Sequence, residues 1–158
     1  MTATDDRPAG AVLGAATATT GLMAGLFYAF DVAVLPGLRA GDDRTYETAM
    51  RNINKAIENP LFAATYTGAL ALPAVAAVLQ WRAGNRRAAA WALAGAAGYG
   101  AALALTSRVN VPLNQALAAG SGRSEVDGRW GAANRGRTLA CTVALACLAR
   151  SLTLHGRG

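Results

Sequence analysis

The chain has 158 residues, of which 53% are hydrophobic and only 15% charged. That length suits one domain, and soluble domains carry about 25% charged residues, so an ordinary water-facing fold is disfavoured. The net charge of +6 does not point to nucleic acid, because the basic residues are scattered over hydrophilic segments without an aromatic-interleaved patch.

The first apolar segment runs from about Pro8 to Leu38 and carries one charge, Asp31, within the stretch GLFYAFDVAVLPGL. A signal peptide fits poorly: two Asp and one Arg make a weak charged n-region, and the apolar stretch is too long for an h-region. On a 100° helical wheel Asp31 shares a face with Thr20, Ala24 and Phe27, with Thr17 close by. That polar and small stripe is expected to face a bundle interior, about one turn before Pro36 and hence near a membrane edge. An ionisable residue facing such an interior is a functional hypothesis by default. Gly21 and Gly25 form a GxxxG pair, which reads as helix packing and permits a homo-oligomer.

Between Arg39 and Pro60, the residues Tyr46, Met50, Ile53 and Ile57 recur at helical spacing with Arg51, Asn52, Lys55 and Glu58 off the stripe. This predicts an amphipathic helix lying at the interface. Pro60 suits the first turn of the second span, and the segment from Pro60 to Trp81 contains no charge. The third segment, Ala88 to Ser107, is also uncharged. The stretch from Ser107 to Thr138 reads as a long loop in which Pro112 breaks or starts a helix and GSGRSEVDG is flexible. The fourth segment begins at Thr138 and is short, so Arg137 and Arg150 must snorkel at its ends.

Spanning helices need roughly 20 apolar residues, so the expected fold is all-α. It is a four-helix transmembrane bundle with an amphipathic helix in the first loop and a long third loop. The whole chain, 1–158, forms one membrane domain with spans near 10–36, 60–81, 88–107 and 137–154. A soluble bundle would show a polar face at the 3.6-residue period, which the second and third segments lack. The arginine-rich connection RAGNRR, with Arg7, Arg150 and Arg157, places both termini in the cytoplasm by the positive-inside rule. The expected location is a bacterial inner membrane, with the lipid bilayer as partner.

The chemistry inventory is short. His155 is the single histidine, so a His-based metal site is excluded and no Ser-His-Asp set assembles. Cys141 and Cys147 form no CxxC, and both read as small apolar fillers. There is no dinucleotide-binding or P-loop motif. With four spans, the polar residues of the first and third loops fall on one side, so Asp31, Asn52, Asn54, Asn110, Asn114, Trp130, Asn134 and Arg137 can converge there. Structural alternatives are an ion pair of Asp31 with Arg108 or Arg137, backbone capping around Pro112 by Asn110 and Asn114, and interfacial anchoring by Trp130.

Four pieces occur in order: GLFYAFDVAVLPGL, NINKAIENPLF, NVPLNQAL, and the W-x3-N-x2-R-T of Trp130, Asn134, Arg137 and Thr138. Together with four spans, they resemble the DUF1772 family of small integral membrane proteins, which includes the anthrone oxygenases. The resemblance implies an oxygenase that converts an anthrone-like aromatic polyketide to a quinone with O2 as co-substrate, and with no metal or flavin cofactor. Related oxidation, ring cleavage or cyclisation of a phenolic polyketide, or a non-catalytic scaffold or transport role, are the alternatives. For such chemistry, Asp31 is the expected general base. Arg137, Asn110 and Asn114 are the expected catalytic donors. Phe27, Tyr28, Asn54, Asn59, Arg108, Trp130 and Asn134 are expected to bind substrate, with Tyr99 as a further candidate for the aromatic slot.

Overall fold

The computed structural model describes residues 6–156. Among them every regular element is helical and no strand occurs. Arg157, one of the charges used to orient the chain, lies outside the described residues. Helix α1 comprises Asp6–Ala29, one π-helical turn at Phe30–Val34, and the α-helical turn Leu35–Arg39. Helix α2 is Asp43–Ala56 and α3 is Pro60–Arg82. Helix α4 comprises Arg86–Leu105, a second π-turn at Thr106–Asn110, and Val111–Ala118. Helix α5 is Arg123–His155.

Four of these helices are long and apolar enough to cross a membrane, and α2 is the short fifth. They close into a ring in which α1 packs on α3 and α5, and α4 packs on the same two neighbours. Small residues allow the closest approach. A Cβ on Gly95 would stand 2.8 Å from Leu148 Cγ, and one on Gly98 would stand 3.2 Å from the Ala144 Cβ, so α4 and α5 touch nearly backbone to backbone. Gly21 meets Leu145 of α5, whereas its GxxxG partner Gly25 has open space beside it.

The third connection differs from expectation. Only 119–122 separate α4 from α5, so the anticipated long loop is almost entirely helix. Polar composition there marks helix beyond the apolar spans. Pro112 does not break α4, because the π-turn absorbs it. The Val111 N–H bonds to Thr106 O, five residues back, just before the proline. Leu35 and Phe30 form the same bond just before Pro36. Proline lacks an N–H and its ring collides with the carbonyl four residues back; a turn widened by one residue relieves the collision. Gly120, at φ +106°, ends α4 where the left-handed region is required, with Ser121 N–H bonding to Ala116 O as in a Schellman turn.

Helix α2 is fastened at its N-terminal half. Tyr46 and Met50 are fully buried in a cluster with Leu35, Leu117 and Val126, and burying one such methionine contributes about 1.5–3 kcal/mol. The Tyr46 hydroxyl donates to Asp127, 3.0 Å away, and Arg39 grips the same carboxylate with Nε and Nη2. Burial, with the bond to Asp127, holds the Tyr46 phenol well above the usual tyrosine range. Glu47 accepts from the Arg123 N–H at the start of α5 (2.9 Å), and the Arg51 Nε donates to Leu117 O at the end of α4 (2.9 Å). These contacts satisfy backbone groups that helix ends leave free. Asp42 caps α2 itself through Thr45, whose hydrogen bonds hold its carboxyl below the usual range.

Candidate active site

The C-terminal half of α2 roofs a cavity of about 590 Å3, within the ~300–1,000 Å3 span of small-molecule sites. All four long helices line it. Helix α1 contributes Leu26, Phe27 and Phe30; α3 contributes Phe62 and Tyr66; α4 contributes Thr106, Asn110 and Asn114; α5 contributes Trp130, Asn134 and Arg137. The roof is Ile53, Asn54 and Ile57, with Lys55 and Glu58 beside them. The predicted α2 stripe is thus divided, its first half packed on the bundle and its second half facing the cavity.

The central charge is Arg137, only 6% exposed. Its guanidinium lies 4.4 Å from the Phe27 ring centroid and 5.0 Å from that of Trp130. Such cation–π contacts are worth about 2 kcal/mol or more when desolvated. Nη2 donates to Asn134 Oδ1 at 2.7 Å, and Nε has no partner. No ion pair among the described residues involves Arg137. A buried charge is normally paired, so this guanidinium is a cation with donor capacity to spare, on the wall of a cavity.

Asp31 reaches Arg137 only through Asn134. The Asn134 Nδ2 donates to Asp31 Oδ1 at 2.6 Å and to Phe27 O at 2.9 Å, while Thr138 Oγ1 donates to Asp31 Oδ2 at 2.5 Å. These acceptors turn the Asn134 amide so that its oxygen faces Arg137. Both carboxylate oxygens of Asp31 are therefore engaged, on a residue that sits within the first π-turn.

Trp130 organises the α4 wall. Its indole N–H donates to Asn114 Oδ1 at 2.7 Å, and its backbone oxygen accepts from Asn110 Nδ2 at 3.3 Å. Its ring packs against Phe30 with centroids 5.5 Å apart. The Asn110 Oδ1 has no partner.

Of the residues expected to form the site, Phe27, Asn54, Asn110, Asn114, Trp130, Asn134 and Arg137 do line this cavity. Asp31 is not among the lining residues, and its carboxylate accepts from Asn134 and Thr138. The alternative of a direct ion pair to Arg108 or Arg137 is also absent. Tyr28 is 58% exposed on the outer face of α1, one residue round from Phe27. Asn59 is the N-cap of α3, accepting from Phe62 N at 2.9 Å. Arg108 is exposed on the outer side of the second π-turn. Asn52 lines a separate shallow depression with Arg44 and Thr48. Tyr99 lies below the cavity floor, donating to Tyr66 O at 3.0 Å. Phe30, Phe62, Tyr66, Thr106, Ile53 and Ile57 were missed as lining residues; of these, Ile53 and Ile57 carried a signal, their place on the predicted stripe.

Among the described residues, no three His, Cys, Asp or Glu side chains gather in a way that could hold a metal ion. His155 stands in the last turn of α5, its Nδ1 3.1 Å from Gln80 Nε2, and Cys141 and Cys147 are free and buried.

The family description "Anthrone oxygenase" matches residues 61–147, more than half of the chain. The chain belongs to the anthrone oxygenase family. The match contains every cavity-lining residue of α3, α4 and α5 and leaves out Asp31 and α2. No match to the chain is found among curated proteins or solved structures. Membership in the anthrone oxygenase family supports an oxygenase-related role.

Proposed function

We propose that the protein oxidises a flat phenolic polycycle of the anthrone class to the corresponding quinone, using O2 and no cofactor. The observation that carries this reading is the unpaired, buried guanidinium of Arg137 on the wall of an aromatic-lined cavity. The methylene of an anthrone is acidic because its conjugate base is an aromatic, phenolate-like anion. A cation held in a low-dielectric site stabilises that anion where its negative oxygen develops, and does so without reorganisation because Asn134 and two rings already fix it.

The balance of the reaction is simple. The anthrone loses a methylene proton, and the anion gives one electron to O2. Radical and superoxide combine, and a proton converts the adduct to a hydroperoxide. Loss of the second methylene proton with cleavage of the O–O bond then releases water and leaves the carbonyl. Anthrone plus O2 gives quinone plus one water. Phe27, Phe30, Phe62 and Trp130 supply the flat apolar walls, and Arg137 holds the oxyanion. The first proton leaves to water at the cavity rim, where Lys55 and Glu58 stand. Asp31 acts at one remove, holding Asn134 and thereby Arg137. An intramembrane site suits both reactants, since polycyclic substrates and O2 partition into lipid. The arginine-rich RAGNRR connection supports an inner-membrane enzyme with both termini in the cytoplasm.

The test is oxygen uptake by purified protein given a simple hydroxyanthrone, against spontaneous autoxidation, with and without chelator. Stoichiometric uptake with quinone formation, unchanged by chelator and reduced about 10²–10³-fold in Arg137→Gln, is expected, since that is the cost of removing one oxyanion donor. Uptake no faster than autoxidation sinks the proposal.

A further inference from the structure

Trp130 does more than line the cavity; it decides which end of a neighbouring amide a ligand meets. An indole nitrogen can only donate. Its 2.7 Å bond therefore fixes the oxygen of Asn114 toward Trp130, and the Asn114 amino group is left without a partner on a cavity-lining side chain. The same reasoning orients Asn134. Its amino group is held by Asp31 and Phe27 O and its oxygen by Arg137, so it has no donor left for a ligand. The amide of Asn110 is turned the other way from that of Asn114, because a backbone carbonyl can only accept: its Nδ2 faces Trp130 O and its oxygen is the free end. Three asparagines of identical chemistry are thereby given three different roles by what they touch.

We infer that Asn114 and Arg137 form a two-donor reader. It selects a flat ligand that presents acceptor oxygens to both, with Asn114 as the specificity-determining residue and Trp130 as its positioning residue. This rests on the reading of the cavity as a polycycle site, and extends it to the substrate class: a carbonyl or phenolate oxygen toward Arg137 and a second acceptor oxygen toward Asn114. A hydrocarbon of the same outline fits the walls and leaves both donors unsatisfied. Leaving buried polar groups unpaired is what lets a site reject an analogue that lacks the matching group.

The experiment measures binding, not turnover, with two fluorescent ligands of similar outline, 1,8-dihydroxyanthraquinone and anthracene, in one detergent. Asn114→Asp keeps an oxygen for the Trp130 N–H and nearly the same shape, but turns the cavity-facing donor into an acceptor. The quinone is expected to bind the native protein more tightly than anthracene. Asn114→Asp should reduce that preference by about tenfold or more while leaving anthracene affinity unchanged. Trp130→Phe removes the indole N–H and frees the Asn114 amide to turn over. It should narrow the preference in the same direction, and it serves where the aspartate variant fails to fold. A preference unchanged in both variants, or lowered equally for both ligands, overturns the inference while the cavity reading stands. Failure of the native protein to bind either ligand overturns the cavity reading and the inference with it.

Discussion

Replacing Asp31 by asparagine separates a base from a positioning residue. In the native protein its carboxylate accepts from Asn134 at 2.6 Å and from Thr138 at 2.5 Å. An asparagine keeps one acceptor for Asn134, and its amino group can donate to the Thr138 hydroxyl. The hydroxyl proton then turns to Asn134 O, which already lies 3.1 Å away. No partner is orphaned. What is lost is the charge assistance of two bonds, about 1.5–3 kcal/mol each when charged against about 1 kcal/mol when neutral. Because Asp31 is partly exposed, the lower end applies, and Asp31→Asn should cost about 1–2 kcal/mol of stability. Arg137 keeps its contacts with Asn134, Phe27 and Trp130, so turnover of a hydroxyanthrone should fall by no more than about tenfold, or 1.4 kcal/mol of barrier. Removing a true general base costs about 10²–10⁴-fold. The assay is steady-state oxygen uptake at matched folded fraction, with thermal unfolding in detergent alongside. A folded Asp31→Asn protein that still binds product but has lost turnover a thousandfold would refute the placement of Asp31 behind Asn134 and restore it as the base.

Glycine substitutions test the close packing of α4 and α5. Gly95→Ala places a methyl 2.8 Å from Leu148 Cγ and should cost about 1–3 kcal/mol by overpacking, whereas Gly25→Ala meets open space and should be neutral or slightly stabilising in thermal unfolding. Tyr46→Phe removes the hydroxyl bond to Asp127 and should loosen α2 by about 0.5–1.5 kcal/mol, read as faster hydrogen exchange over 43–56. The Tyr46 phenol is raised by burial and its bond to Asp127. Its contribution is therefore fully present below the ordinary tyrosine value near 10 and is lost as pH rises beyond that; Tyr46→Phe should abolish this alkaline loosening. Tyr28→Phe and Arg108→Gln, both outside the cavity, should leave oxygen uptake within about twofold of native, since surface changes rarely exceed about 0.5 kcal/mol; a large loss from either would mean the site extends beyond the cavity described.

The spans were legible because twenty apolar residues admit few other readings, and the α2 stripe because 3.6-residue spacing of Tyr46, Met50, Ile53 and Ile57 has one geometric meaning. Convergence of Asn110, Asn114, Trp130, Asn134 and Arg137 followed from span parity alone. What composition hid was helix outside the apolar spans: RSEVDGRWGAANRGR reads as loop by polarity, yet Asp127 and Arg123 of that stretch are satisfied by Arg39, Tyr46 and Asp43 from other helices. Pro112 looked like a break because a widened turn leaves no mark in composition. Phe27 was legible as inner from its place on the wheel face of Asp31, Ala24 and Thr20, whereas Tyr28, one residue round and off that face, lies exposed. Phe62 and Tyr66 were invisible, as aromatics in an uncharged run suit a cavity and a lipid face equally. Which end of each asparagine faces inward depends on contacts between helices that no spacing rule encodes.

The paired π-turns leave α1 and α4 each with two segments whose rotational settings are independent. An ordinary α-helix advances about 100° per residue, so removing a single residue from Phe30–Val34 would wind that turn back to α and swing everything after it by about that angle. Arg39 would leave Asp127, and Leu35 would leave the cluster beneath α2, while the apolar segment before Phe30 would keep its packing. The same change within Thr106–Asn110 would carry Asn114 off the cavity wall and away from the Trp130 indole, with Gly95 and Gly98 still seated on α5. The bilayer-facing bundle and the ligand-facing rim are thus joined by two adjustable couplings, and a one-residue change in length at either would re-aim the rim without rebuilding the bundle.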